Sequence, residues 1–226
     1  MEKTVVLVAG GAGTRIGSVL PKQFIRIQGK PVFIHSIEVF MRAYDEINII
    51  LVLPLDYIDH AKQLLTEFGM PLETINLVTG GITRFDSVKN GLSHVPNDHI
   101  VFVHDAVRCL VSVELIRRCA ESCIEVGASI PVIPLRDSIR EVSRDGNSRP
   151  IDRSLLRIVQ TPQTFLASAL KVAYSKPYED SFTDEATVFE AAGNKLFLIE
   201  GEESNIKITY PEDIDFASWK LSESLA

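Results

Sequence analysis

Four short apolar runs rich in β-branched residues recur along the chain: TVVLVAG (4–10), INIILVLP (47–54), IVFVHDA (100–106) and ASIPVIP (128–134). They are continuous rather than alternating, the pattern of strands covered on both faces. Between them the period lengthens to that of a helix. In PVFIHSIEVFMRAY, Phe33, Ile34, Ile37, Phe40 and Met41 fall on one stripe, with Pro31 suited to a first turn. DYIDHAKQLLTEFG carries Ile58, Ala61, Leu64, Leu65 and Phe68 and stops at Gly69, a C-cap signal. SVELIRRCAESCIEVG offers Ser112 as N-cap and Glu114 in the first turn. Strand alternating with helix predicts an α/β fold, a Rossmann-like three-layer arrangement with a mainly parallel central sheet.

One segment breaks the rhythm. RDSIREVSRDGNSRPIDRS (136–154) is polar, partly alternating and contains Asp145-Gly146, a hairpin signal. It is too polar to form a core layer and is predicted to project as a β-hairpin arm. The α/β pattern resumes through TDEATVFEAAG, LFLIEG and NIKIT to a last helix after Pro211. Lys207 falls between Ile206 and Ile208 and reads as a strand residue. No repeat or linker is visible, so residues 1–226 read as a single domain with an arm at about 136–154.

Composition narrows the classes. The 226 residues are 46% hydrophobic, enough for one sizeable core. A net charge of -7 argues against a nucleic-acid polymer as partner, because that binding relies on neutralising many phosphates. No apolar run approaches the roughly 20 residues of a membrane span. Only Glu2 and Lys3 precede the first strand, so no signal peptide is expected. Cys109, Cys119 and Cys123 form an odd, sparse set that suits a reducing cytoplasm. Cys119 and Cys123 read as small core-facing residues of one helix.

The chemistry concentrates near glycines. LVAGGAGTRIGSVLPKQF places Gly10, Gly11 and Gly13 after the first strand, followed by Arg15 and Lys22. Bare backbone allows close approach to a ligand, and the cations can cancel phosphate charge. Counted from Gly11, the dinucleotide fingerprint fails at Ile16, and no lysine follows Gly17 to complete a P-loop. A tight turn with two solvated cations remains the alternative for this stretch alone. GGITRFDSV (80–88) supplies a second glycine pair followed by Arg84 and Ser87. VHDAVR (103–108) ends an apolar strand on Asp105, where a carboxylate suits Mg²⁺ or a ribose hydroxyl. His104 beside it reads as structural. Neither H-E-x-x-H nor C-x-x-C occurs, so zinc is unsupported.

In order, AGGAGTR, PKQF, GGITRFDSV, VHDAVR, RDSI, IDRS, QTPQTF, TDEA and SNIKIT resemble the 2-C-methyl-D-erythritol 4-phosphate cytidylyltransferase family, within the nucleotidyltransferase superfamily. The resemblance implies an enzyme that moves CMP from CTP to a polyol phosphate, with Mg²⁺ as cofactor. It implies that Ala9, Gly10, Gly11, Gly13, Gly80, Gly81 and Ser87 hold the nucleotide. Arg15 and Lys22 would face the triphosphate, with Lys207 near the α-phosphate. Asp105 would lie by the ribose and the metal. Arg108, Ser138, Arg153 and Thr161 would bind the acceptor, and a cytoplasmic homodimer would form through the arm. The chain departs from the family's V-H-D-A-A-R-P at Val107 and Cys109, which puts a larger side chain, Val107, beside the expected nucleotide pocket. Ser138 replaces a common threonine and keeps its hydroxyl. Ribitol-5-phosphate cytidylyltransferases look similar over the same length, and a nucleotide-binding regulatory module without turnover would keep the glycine loops.

Overall fold

A computed structural model describes residues 1–10 and 20–223 of the chain. Strand β1 (Lys3–Val8) is followed by a 3₁₀ turn at Lys22–Phe24, the small ribbon β2 (Arg26–Ile27) and β3 (Lys30–Pro31), and helix α1 (Val32–Ala43). Then come β4 (Ile47–Leu53), α2 (Ile58–Glu67), β5 (Ile75–Thr79), α3 (Arg84–Leu92), β6 (Ile100–Asp105), α4 (Val113–Val126) and β7 (Ala128–Pro134). The arm contributes β8 (Arg140–Val142) and β9 (Ser148–Pro150). The chain returns through β10 (Arg157–Val159), β11 (Gln163–Leu166), α5 (Ala167–Ala173), α6 (Glu185–Ala191), β12 (Leu198–Glu200) and α7 (Pro211–Glu223).

The predicted α/β architecture is present. Among the described residues the main sheet runs β10-β7-β11-β6-β1-β4-β5, with β12 beside β7. β1 pairs parallel with β4 and β6, and β4 with β5. β11 and β10 run antiparallel to their neighbours. The four sequence-predicted strands are β1, β4, β6 and β7. Ser112 caps α4 by accepting from the Leu115 N–H at 2.9 Å, and Gly69 follows α2 with φ +65°.

Alternate residues of each strand feed opposite layers. Val5, Leu7, Leu51 and Phe102 pack under α1, α2 and α4, whereas Val6, Val52, Val101 and Val103 pack under α3, α5 and α6. Phe40 and Phe102 meet edge-to-face at 5.7 Å. Cys119 and Cys123 lie in the first layer, and burial pushes both thiols up to about 12. A third cluster under α7 joins Ile27, Val32, Val107, Cys109, Ile208 and Ala217. Val107 and Cys109, which depart from the family's V-H-D-A-A-R-P, are both buried in this cluster. The chain around Lys207 is irregular rather than a strand: Ile208 N–H donates to the Val107 carbonyl at 3.0 Å, and no ladder continues from that bond.

The arm is a two-stranded antiparallel hairpin, with Arg140 opposite Pro150 and Val142 opposite Ser148. Gly146 takes φ +85° in its turn, the conformation that the Asp-Gly dipeptide anticipates.

Helix α3 touches the sheet through Gly91. A Cβ there would stand 2.6 Å from Val6 Cγ1 and 3.0 Å from Val52 Cγ2, methyls of buried strand residues that cannot swing aside. Gly91→Ala is therefore expected to destabilise the protein. Overpacking costs about 1–3 kcal/mol, against roughly 1 kcal/mol gained in helix propensity. A lowered urea midpoint is the expected result, and an unchanged or raised one would show that α3 can stand off the sheet.

Candidate functional site

Glycines and cations converge at the carboxyl ends of β1, β5 and β6, the edge where open parallel sheets bind ligands. Ser87, in the first turn of α3, is the hub of the glycine part. Its Oγ accepts from the Gly81 N–H at 3.1 Å and donates to the Thr83 carbonyl at 2.9 Å. A Cβ on Gly10 would lie 3.4 Å from that oxygen, and one on Gly80 3.0 Å. A Cβ on Gly81 would fall 2.2 Å from Asp86 Cβ, so no larger residue fits there. Thr83 and Asp86 cap α3 reciprocally, which fixes the turn. Ala9 is held from below: the buried Gln23 amide donates to its carbonyl at 2.6 Å.

The charged part centres on Asp105, the last residue of β6, 6% exposed. Lys207 Nζ lies 2.9 Å from Oδ2, Arg108 Nε 3.4 Å from Oδ2, and Arg84 Nη2 3.4 Å from Oδ1. Burial alone would raise the Asp105 pKa. Arg84, then Lys207 and Arg108, outweigh burial and hold it far below the usual carboxylate range. The Arg108 guanidinium is lowered by burial, opposed by Asp105. Its Nη1 also donates to the Asn205 carbonyl at 2.9 Å, and Asn205 Nδ2 donates to the Thr161 carbonyl at 2.8 Å, which ties the segment bearing Lys207 to the sheet. Lys22 Nζ donates to the Ile208 carbonyl at 2.9 Å, one residue beyond Lys207.

Thr161 is buried, and its hydroxyl is engaged within the protein. It accepts from the Asp105 N–H at 3.1 Å and donates to His104 Nδ1 at 3.0 Å. His104 Nε2–H then donates to the Arg108 carbonyl at 3.2 Å. His104 is a neutral structural group: burial lowers its pKa to about 4.

The structure thus brings together Ala9, Gly10, Lys22, Gly80, Gly81, Ser87, Asp105, Arg108, Thr161 and Lys207. Gly11, Gly13 and Arg15 lie outside the described residues. Ser138 and Arg153 stand at the base of the arm, both exposed. Arg153 donates to the Arg136 carbonyl, and among the described residues no hydrogen bond or ion pair joins Ser138 or Arg153 to the Asp105 cluster. Sequence reasoning assigned no role to Arg84 or Glu185, although both fall inside quoted motifs. Among the described residues no helix is long and apolar enough to cross a membrane.

The model of the family described as 2-C-methyl-D-erythritol 4-phosphate cytidylyltransferase matches residues 3–223. The protein of that name from Bacteroides thetaiotaomicron is 45% identical over 219 residues, 96% of this chain and 99% of the relative. The bifunctional enzyme IspD/IspF of Desulfotalea psychrophila is 40% identical over 220 residues, 97% of this chain and 56% of that protein. The crystal structure of 4-diphosphocytidyl-2C-methyl-D-erythritol synthase from Anaerococcus prevotii superposes with TM-score 0.81 at 28% identity, covering 98% of each chain.

The His104 environment predicts a pH dependence of stability. Its folded pKa of about 4 lies below the ordinary 6.5, so the unfolded chain takes up the proton first. The stability is fully present above pH 6.5 and is lost as pH falls toward 4, by at most about 3 kcal/mol. His35 is also lowered by burial and adds to the same window. Urea unfolding at several pH values should therefore give a shallower slope for His104→Asn than for wild type, not a flat one. Equal slopes would contradict the assignment.

Proposed function

The chain belongs to the 2-C-methyl-D-erythritol 4-phosphate cytidylyltransferase family, and from that membership we infer how its own residues carry the reaction. The enzyme transfers CMP from CTP to 2-C-methyl-D-erythritol 4-phosphate in the non-mevalonate route to isoprenoid precursors. An oxygen of the 4-phosphate attacks the α-phosphorus of CTP. The bond from that phosphorus to the β-phosphate oxygen breaks, and pyrophosphate leaves with the electron pair. The nucleophile needs no base, because a phosphate monoester is already largely dianionic near neutral pH. What remains for the protein is positioning and charge stabilisation.

The observation that supports this division of labour is the convergence of Lys22 and Lys207 with Asp105 beside the glycine turns. In this reading the turns at Gly10, Gly80 and Gly81 with Ser87 accept the cytosine, and the first loop with Gly11, Gly13 and Arg15 follows the triphosphate. Lys22 and Lys207 hold the α-phosphate and the charge that develops in the transition state. Arg108 binds the acceptor phosphate, and Thr161 fixes the backbone beneath it. Residues 1–226 act as one domain, in the cytoplasm.

A divalent cation fits Asp105. Mg²⁺ commonly takes one or two carboxylates and completes its shell with water and phosphate oxygens. Among the described residues no group of three or more His, Cys, Asp or Glu could hold a metal alone. Asp105 would therefore hold the ion together with the triphosphate. When bound, it would draw charge from the phosphates and make the α-phosphorus more electrophilic.

The arm supports a homodimer. An isolated hairpin is marginal in water, yet β8 and β9 are wholly exposed, and Val142 and Leu155 present apolar surface. A two-fold partner carrying the same arm is the economical cover. In that dimer Ser138 and Arg153 complete the acceptor site of the partner.

Two measurements test this. Incubated with CTP, Mg²⁺ and either 2-C-methyl-D-erythritol 4-phosphate or ribitol 5-phosphate, the protein should release pyrophosphate with the former at much higher kcat/KM. Comparable turnover with ribitol 5-phosphate would redirect the acceptor assignment. Lys22→Ala and Arg153→Ala should each lose on the order of 10²–10³ in kcat, the usual cost of one preorganised charge contact. Co-refolded, they should regain about a quarter of full activity, because half of randomly paired dimers are mixed and each mixed dimer holds one intact site. No recovery from dimers shown to be mixed would place each site within one chain.

A further inference from the structure

Glu185 opens α6 and is 0% exposed. Arg84, the first residue of α3, grips it with a two-pronged fork: Nη1 to Oε1 at 2.5 Å and Nη2 to Oε2 at 3.1 Å. The Tyr174 hydroxyl donates to Oε1 at 3.2 Å. The same Arg84 Nη2 lies 3.4 Å from Asp105 Oδ1. A buried ion pair contributes little net stability compared with apolar packing of the same volume. Its value must then be sought in what it holds in place.

The Glu185 end of the pair is fixed to the sheet that carries Asp105. Gln163 on β11 donates to Asp184 Oδ2 at 2.9 Å and accepts from the Ala186 N–H at 2.8 Å, clasping the start of α6. Gln163 stands opposite Val103 of β6, two residues before Asp105. At the other end, the Thr83–Asp86 cap fixes the start of α3. The geometry of Arg84 relative to Asp105 is therefore set by two pinned helix starts.

We propose that Arg84 is a positioning residue for the cytidylyl transfer, restrained by Glu185 so that it orients the Asp105 carboxylate without closing over it. A guanidinium has five donors in a rigid fork that matches a carboxylate. Left without Glu185, Arg84 would present that fork to Asp105 and engage the oxygen that a divalent cation or a ribose hydroxyl needs. With Glu185 in place, one nitrogen alone stays near Oδ1, at a distance too long for a strong bond. This rests on the reading of Asp105 as the residue that faces nucleotide and metal.

The test uses the full chain with Mn²⁺ as the metal and cytidine 5′-(α,β-methylene)triphosphate as an unreactive nucleotide. Loss of the free-ion EPR signal reports metal affinity without turnover. Glu185→Gln should weaken Mn²⁺ binding about 10–100-fold, the usual effect of removing an outer-shell partner, and raise KM for CTP while the acceptor KM stays within about twofold. Adding Arg84→Met to Glu185→Gln should recover part of the Mn²⁺ affinity, because the released guanidinium no longer covers Oδ1, while KM for CTP stays raised because the orienting group is gone. A merely structural pair would show no such recovery. Wild-type affinity in Glu185→Gln, or a double variant no better than the single one, would overturn the proposal. Should Glu185→Gln fail to fold, Arg84→Lys takes its place: it keeps the charge but loses the fork, and should raise KM for CTP with the acceptor KM unchanged. Equal effects on both substrates, or none, would overturn it. Turnover of CTP by the wild type tests the functional reading separately, so the two can fail independently.

Discussion

A carboxylate buried at the end of a central strand must be compensated, and the way Asp105 is compensated organises this molecule's working edge. Burying an unpaired charge costs several kcal/mol, and the usual escape is to take up a proton. Asp105 instead keeps its charge, because Arg84, Arg108 and Lys207 reach it from three separate parts of the chain. Those parts are the start of α3, the turn after β6 and the irregular segment before α7. One carboxylate thus draws together stretches that are far apart in sequence. Among the described residues three cations face two carboxylates, Asp105 and Glu185, an excess of positive charge. On a chain whose net charge is -7, that excess is local, and it suits a small anion.

The surrounding scaffold is stiff where the chemistry needs fixed distances. Buried amides pin the ends of elements: Gln23 holds the end of β1, Gln163 the start of α6, and Gln160 donates to the Glu202 carbonyl at 2.7 Å. The relay from the Asp105 N–H through Thr161 to His104 and the Arg108 carbonyl uses every proton in it once. A histidine so placed cannot serve as a base at neutral pH, and the reaction does not ask for one. The arm is the opposite case: its strands have no core of their own and lie wholly exposed.

Much of this was legible before any coordinates. The strands announce themselves as unbroken β-branched runs, and Asp105 stands out as an acid closing such a run. The Asp145-Gly146 turn marks the arm as clearly as any residue pair can. Other features could not be read. Lys207 sits between two isoleucines, the signature of a strand, yet among the described residues Ile208 bonds to the Val107 carbonyl and the segment is irregular. That Val107 packs in the cluster under α7 is likewise set by tertiary structure. The direction of β11 depends on which neighbours it finds, which periodicity does not encode. Arg84 was visible as a cation after two glycines, but its partner lies 101 residues away, and only tertiary structure supplies that pairing.

Keeping Asp105 ionised has a further consequence for how ligands enter. A protonated carboxyl is a poor ligand for a hard cation, so on the proposed reading the cations that hold the Asp105 charge would also keep it able to bind metal. They would also compete with that metal, since Lys207 and Arg108 share Oδ2. A nucleotide, bringing its own negative charge, would shift that competition. In the proposed reading, phosphate oxygens would offer Lys207 an alternative partner, and Asp105 would then be left to hold a divalent cation together with the triphosphate. Lys207 is 40% exposed in its side chain, whereas Arg84 is tied to Glu185 and Arg108 to the Asn205 carbonyl. Of the three cations on Asp105 among the described residues, the lysine is the one that the proposed reading would release to substrate, with the two arginines left to fix the carboxylate.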